Sequence, residues 1–538
     1  MAWTLVTTII PLLPLLLFYL WKKVIYYRTK QYAWLPQLPP SLLWGHLSTI
    51  DKLVKTNPPN IHIGRLLDKI LKAMYDCLGK PALFVVDLRP VSHPMCVICD
   101  HDVAEQISKS SKLFQYSPPK SHISRWYSDM MGRLSIVLSE NEEWKSLRKQ
   151  FNPGFAHKHL INLMPCILEK TQLFLTKLDH YAGTGEEFAL DELCTNLTFD
   201  IIGAVTMDID LDAQLGEEHQ SPIVRLFRKL GSTYRSGYRG WKFLLPLQRK
   251  LLSRQLGAHI KAHIKEQFEG QSTSQNPSRS VLGLSLVETH ELTPEVLDRT
   301  CDQLKTFLFA GHDTTSILLQ WTFYELARTP HVLHRVCMEL DEIFGPNSDP
   351  IHIRDQLLEH GENVLQRMIY TSAVIKEILR LYPPAATARF STPNTGLSVR
   401  LPNGQDICLD GFMLYNCQSI IQRDQAVYGD KSDQFIPQRW LETGSTIPAS
   451  AWRPFERGPR NCIGQELANI EALVILACAT RRYDWEKVGL GSTKRDESGA
   501  PIEKENGQYE VQSELYNTLE ITSKPVDGMR MRVKIART

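Results

Sequence analysis

Thr293-Pro294-Glu295 joins a helix N-cap residue to a proline at the first helical position, and it opens an apolar-periodic run that continues to about Arg328. This predicts one long helix, the largest single commitment of residues in the chain. Its middle is not apolar: Ala310-Gly311-His312-Asp313-Thr314-Thr315-Ser316 sets an acid and hydroxyls inside the run. Such side chains offer the backbone competing partners and are unfavourable there unless something uses them. Ala310 and Gly311 remove side-chain bulk beside them, which leaves room for a diatomic ligand and a proton path to it. A kinked helix with a solvated polar face is the alternative. The flanking strings Thr306–Phe309 and Ile317–Trp321 weigh against it.

A second stretch, Pro454–Gly464, reads Pro-Phe-Glu-Arg-Gly-Pro-Arg-Asn-Cys-Ile-Gly. Gly458 and Gly464 let the backbone turn tightly and lie close to a flat partner. The helix pattern after Cys462 places its sulfur at a helix N-terminus, where N–H groups stabilise a thiolate. Phe455 offers an aromatic face, and Arg460 a cation for a carboxylate. Together they describe a heme site with cysteine as axial ligand. The competing reading is a buried core cysteine.

Three further groupings bear on the choice. Glu377 and Arg380, three apart, share a helical face, a pair that is common on surfaces. Phe435–Trp440 adds Arg439 in a proline-fixed loop, and two guanidiniums around one carboxylate form a charge-assisted network. Trp144 and Arg148 stand at i and i+4, so an indole N–H and a guanidinium face one way, toward a carboxylate of a cofactor.

The 538 residues are 43% hydrophobic with a net charge of +2. That is ample for a large core, and it argues for no nucleic-acid partner. Eleven scattered cysteines suit a reducing compartment. Cys96 and Cys99 are expected on opposite faces of a strand with no second pair to complete a metal site. Trp3–Trp21 carries no charge and is followed by Lys22, Lys23, Arg28 and Lys30, which predicts an uncleaved transmembrane anchor with a cytoplasmic basic flank. Residues 1–21 are therefore read as the anchor, 22–60 as a basic, proline-rich connector and 61–538 as the catalytic domain. Ala82–Asp100 alternates and is β-branched, predicting two adjoining strands. Gly270–Ser280 reads as a loop, and the tail after Thr493 as loops and short strands. Asn196-Leu197-Thr198 is a glycosylation sequon that a cytoplasmic domain leaves unmodified. Residues 225–265 hold eleven Lys/Arg and no acid, interleaved with Trp241, Phe243, Leu244 and Leu245. A solvated face and a membrane-surface role are both open there.

Taken in order, Trp144–Arg148, Ala310–Thr315, Glu377–Arg380, Pro437–Trp440 and Phe455–Gly464 resemble the signature segments of the cytochrome P-450 superfamily. Phe-x-x-Gly-x-Arg-x-Cys-x-Gly is fulfilled at every specified position, and the likeness runs from the anchor to the terminal strand. Membrane-bound fungal members of secondary metabolism are the most alike. The resemblance implies a mainly α fold with small β-sheets behind an N-terminal transmembrane helix, and catalysis by heme b. Cys462 would be the iron's thiolate ligand, with Phe455 packed beside the heme. Trp144, Arg148, Arg460 and Arg389 resemble propionate-binding residues. Asp313 and Thr314 resemble the acid–alcohol pair that delivers protons to bound dioxygen, with His312 a helix-face residue. Glu377, Arg380 and Arg439 resemble a structural triad; Trp440 stands where many relatives have phenylalanine.

The implied reaction is monooxygenation by O2 of a small hydrophobic substrate: hydroxylation, epoxidation or desaturation. No Gly-x-Gly-x-x-Gly fingerprint occurs, so NADPH serves indirectly, through a separate NADPH-cytochrome reductase in the endoplasmic reticulum membrane. Lys145, Lys149, Arg453 and Arg457 are expected to face that partner. Two other classes compete. A heme-thiolate isomerase or dehydratase needs no reductase, but such relatives commonly lose the acid–alcohol pair. A non-enzymatic, membrane-tethered binding protein would have no use for Cys462.

Overall fold

The computed structural model describes residues 2–56, 63–234, 244–273, 278–443, 446–519 and 522–536. In chain order the strands are β1 (Leu83–Val86), β2 (Met95–Ile98), β3 (Phe188–Ala189), β4 (Ala388–Phe390), β5 (Ser398–Arg400), β6 (Asp406–Cys408), β7 (Met413–Asn416), β8 (Tyr483–Lys487), β9 (Asn517–Leu519), β10 (Ser523–Pro525) and β11 (Arg530–Ile535). Helices make up most of the rest. Two compact units result, Met1–Ser121 with Thr387–Ile421, and His122–Ala386 with Gln422–Thr538.

The first unit is built on a sheet of order β1-β2-β7-β4. β1 and β2 adjoin, as the sequence predicts; they pair antiparallel, and β2 pairs parallel with β7. Every residue of β1 and β2 is buried, so the alternation expected of them does not extend to burial. Strands covered on both faces bury both sets of side chains. Cys96 and Cys99 are buried and unbridged, and among the described residues no cluster of His, Cys, Asp and Glu is arranged to hold a metal.

The helix Ala2–Ile25 ends in a π-helical turn, Tyr26–Lys30. Among the described residues no helix is long and apolar enough to cross a membrane. Arg28 does not serve as part of an exposed basic flank. Its guanidinium is buried, with Nη1 2.6 Å from Asp87 Oδ2, and it donates to the carbonyls of Leu42, Leu43 and Arg89. Leu35 is buried, and the Val85 N–H donates to Pro36 O. The start of the 22–60 connector is thus part of the folded unit.

In the second unit the central helix is Pro294–Arg328, with the bounds read from sequence, and Thr293 Oγ1 caps it by accepting from Val296 N at 3.3 Å. It lies along the helix Leu190–Met207 and also packs on Ile369–Leu381 and Gln465–Ala479. Gly311 sits where the first of these crosses. A Cβ there would come within 2.6 Å of the Ile202 side chain. Gly311 is therefore explained by helix packing, not by space for a ligand. β3, β11 and β8 form an antiparallel sheet, and β9 and β10 a hairpin.

Some expectations change here. The helix Leu245–Thr273 takes in Gly270–Thr273, which the sequence assigns to a loop, and residues 274–277 lie outside the described residues. Asn196 of the sequon is buried inside a helix and accepts from Arg228 at 2.5 Å. In the basic stretch, Arg228, Arg249 and Lys261 have internal partners: Asn196, Thr233 and Asp298. Trp241 and Phe243 lie outside the described residues, while Leu244, Leu247 and Leu251 are exposed.

Candidate active site

Cys462 lies three residues before the helix Gln465–Ala479, and its side chain is exposed. It is not the buried core cysteine of the competing reading. The loop reaches this position through two left-handed residues, Glu456 at φ +55° and Gly458 at φ +77°. Glycine adopts such a φ without penalty. The turn closes with the Cys462 N–H donating to Phe455 O at 2.9 Å. Gly464 has ordinary backbone angles, and a Cβ on it would lie 3.9 Å from the Cys462 sulfur. Beneath the loop Arg453 is fully buried, bonded through Nη2 to Glu456 Oε2 at 2.9 Å and through its N–H to Gln422 Oε1. Arg453 is thus a brace of the loop and not a surface cation for a partner. Lys145 and Lys149 are exposed, as expected.

The helix Asn141–Phe151 supplies the residues that steady the loop's other side. Arg148 donates through Nη1 to Asn461 O at 2.8 Å and through Nη2 to Asn461 Oδ1 at 2.9 Å. Burial lowers its pKa, while attraction to the Cys462 thiolate acts the other way. A fixed cation beside this thiol favours its ionised form. Arg460 donates to Ile136 O and Val137 O, and its guanidinium lies 5.2 Å from the centre of the Trp144 ring. Trp144, Arg148 and Arg460 are therefore gathered around the cysteine loop. Arg389 belongs to the other unit, buried in β4 and donating to Pro118 O at 3.3 Å.

Glu377, Arg380 and Arg439 meet. Arg380 binds Glu377 in fork geometry at 2.9 and 2.8 Å, and Arg439 Nε reaches Oε1 at 3.0 Å. The carboxylate and the Arg380 side chain are wholly shielded from solvent. A further side-chain donor escaped the sequence reading. Trp440 Nε1–H lies 3.0 Å from Glu377 Oε2, a bond that phenylalanine cannot make. Arg380 spends its other donors on the carbonyls of Gln422, Ser432 and Gln434, so the cluster ties the helix to the chain that leads into the cysteine loop.

On the central helix the acid and the alcohol diverge. Thr314 Oγ1 bonds back to Ala310 O at 2.7 Å, and Ala310 is exposed although most of the helix is buried. Asp313 turns instead to Lys524, 2.6 Å away, and accepts from Thr522. Burial alone would raise the Asp313 pKa, but Lys524 and His312 hold it below the usual value. The His312 ring is wedged between Phe199 and Phe227, with Nδ1 2.6 Å from Leu308 O; burial lowers its pKa, while the neighbouring Asp313 acts the other way.

Glu471 is the other residue the sequence reading missed. It is fully buried on the helix that follows Cys462, it meets Thr315, and burial pushes its pKa up to about 8. The folded state keeps this proton above pH 4.5 while the unfolded chain loses it, so stability falls as pH rises from about 4.5 to about 8. At about 1.4 kcal/mol per pH unit the fall is at most on the order of 5 kcal/mol. Glu471→Gln should abolish it. The mutant's thermal midpoint, compared with wild type, should rise steadily between pH 5 and pH 8. A pH-independent difference would mean the carboxyl is ionised in the fold.

Comparison with known proteins agrees with this geometry. The family profile of Cytochrome P450 matches residues 59–511. The chain is 29% identical to Cytochrome P450 monooxygenase acrF of Aspergillus aculeatus, over 84% of this chain and 94% of that protein. It is 28% identical to Cytochrome P450 monooxygenase polC of Polytolypa hystricis, over 86% and 84%. Cytochrome P450 4V2 of Homo sapiens is 26% identical, over 76% and 77%. The family's cofactor is heme held by a cysteine thiolate, with electrons supplied by a reductase. The residues here fit that group: one exposed thiol at a helix start, a fixed cation beside it, and a second arginine stacked on an indole. The chain belongs to the cytochrome P450 family of monooxygenases.

Proposed function

We propose that this protein uses O2 and electrons from an NADPH-cytochrome reductase to oxidise a small hydrophobic substrate in fungal secondary metabolism. The observation that carries the reading is the exposed Cys462 thiol on a loop braced by Arg453 and held by Arg148 through Asn461. Cys462 holds the heme iron, with Phe455 beside the heme and Trp144, Arg148 and Arg460 toward its propionates. Bound there, heme supplies oxygen activation, to which a thiolate ligand contributes electron density. Glu377, Arg380 and Arg439 support the loop from below. Thr314 holds a proton donor at its hydroxyl, and Asp313 resupplies it. Trp3–Trp21 anchors the chain in the endoplasmic reticulum membrane, with Lys145 and Lys149 facing the reductase. A reductase-free isomerase is not favoured, because Asp313 and Thr314 are both kept.

Positioned proton transfer contributes about 10²–10⁴-fold to a rate. Thr314→Ala should therefore lower product formed per NADPH on the order of 10²-fold, with peroxide released in its place and substrate binding intact. Product, peroxide and NADPH are measured together with purified reductase. Unchanged coupling would remove Thr314 from the proton path.

A further inference from the structure

Two buried glutamates of the second unit are fully met: Glu325 and Glu377 each receive an arginine fork across both oxygens. Glu471, buried on the helix Gln465–Ala479, is not. Among the described residues no cation reaches it and no group meets its Oε2. A buried polar atom without a partner lowers stability, so an apolar side chain would suit the packing better. The carboxyl's one bond is to the hydroxyl of Thr315, itself buried on the central helix. That residue belongs to a turn whose polar side chains are tied outward on either side of Thr314. Asp313 is paired with Lys524 of β10, and Ser316 Oγ lies 3.0 Å from Thr195 Oγ1 of the helix Leu190–Met207. Thr314 stands between them, its hydroxyl bonded back to Ala310 O. The helix of Glu471 begins three residues after Cys462, and it packs on the central helix. The Glu471–Thr315 bond therefore joins the segment that carries the thiolate to the turn that carries Thr314.

We propose that Glu471 is a positioning residue for the oxygen chemistry: through Thr315 it fixes the turn of Thr314 relative to the Cys462 loop, and it does so at a cost in stability. Without the carboxyl, the Thr315 hydroxyl turns back to the Gly311 carbonyl, as that of Thr314 does to Ala310, and the link between the two segments is lost. An acid kept where the fold is better served by a hydrocarbon has a use other than folding. The inference rests on the monooxygenase reading and adds to it a residue that acts through its neighbour.

Glu471→Met keeps the length of the side chain and removes the carboxyl. At pH 5, where the wild-type carboxyl is neutral, the thermal midpoint of the holoenzyme variant should lie about 1–3 °C above wild type. Product formed per NADPH, measured with purified reductase, should nevertheless fall about tenfold, with peroxide making up the loss and KM unchanged. The infrared C–O stretch of the carbon-monoxide complex should broaden, because the groups beside the bound ligand are less fixed. Glu471→Gln still offers Thr315 an acceptor and should match wild type in coupling and in the C–O band. Thr315→Val should reproduce the loss of coupling, and Glu471→Met with Thr315→Val should be no worse than either alone. The proposal is overturned if Glu471→Met is less stable than wild type or does not fold, or if it couples like wild type. Unchanged coupling in Thr315→Val overturns it too. So does lost coupling in Glu471→Gln, since the proton and not the bond would then matter. A normal red-shifted carbon-monoxide band in these variants would show that the monooxygenase reading survives such a failure; its absence from wild type would sink both.

Discussion

Glu377→Ala should give little folded holoprotein. Removing the carboxylate leaves Arg380 and Arg439 as buried cations without their anion, and Trp440 without its acceptor. Breaking a buried ion pair from one side costs about 3–5 kcal/mol. Against the 5–15 kcal/mol typical of folded domains, that is about a fifth of the stability or more. The cost is compounded because Arg380 also gathers the carbonyls of Gln422, Ser432 and Gln434. Soluble yield and heme content measured together provide the test, and Glu377→Asp should recover part of both. Normal yield and a full heme complement in Glu377→Ala would refute the structural role.

Cys462→Ser should have the opposite profile, a folded protein that has lost its chemistry. Serine changes one atom and keeps the Cys462 N–H bond to Phe455 O that closes the loop, so the fold depends little on the sulfur. A hydroxyl is a far weaker ligand than a thiolate, and Arg148 would no longer face a negative sulfur. The expected outcome is near-normal circular dichroism, no red-shifted band in the reduced, carbon-monoxide-bound spectrum, and no product. Persistence of that band would place the thiolate elsewhere, among the ten other cysteines.

What could be read from sequence was what is encoded locally. The bounds of the central helix follow from Thr293-Pro294 and an apolar period, both properties of adjacent residues. The Glu377–Arg380 pair lies within one turn. Partners chosen across the fold were invisible. Glu471 reads as one acid in an apolar helix, and nothing near it announces Thr315. Thr522 and Asp313 are 209 positions apart. Trp440 passed for a neutral variation because an indole N–H matters only once a carboxylate is found beside it. Gly311 and Arg453 were assigned to function by proximity to motifs, whereas Ile202 and Glu456 explain them by packing and charge.

The burial of Arg28 against Asp87 has a practical reach. Wherever the N-terminal helix is removed to make the protein easier to handle, the cut has to fall before this arginine. A chain beginning at Tyr26 retains the guanidinium that fills the space beside Asp87 and fastens the carbonyls of Leu42, Leu43 and Arg89. One beginning at Gln31 leaves a shielded anion with Arg89 as its remaining basic contact. What looks from its sequence like a disposable leash is, at this one residue, a rivet.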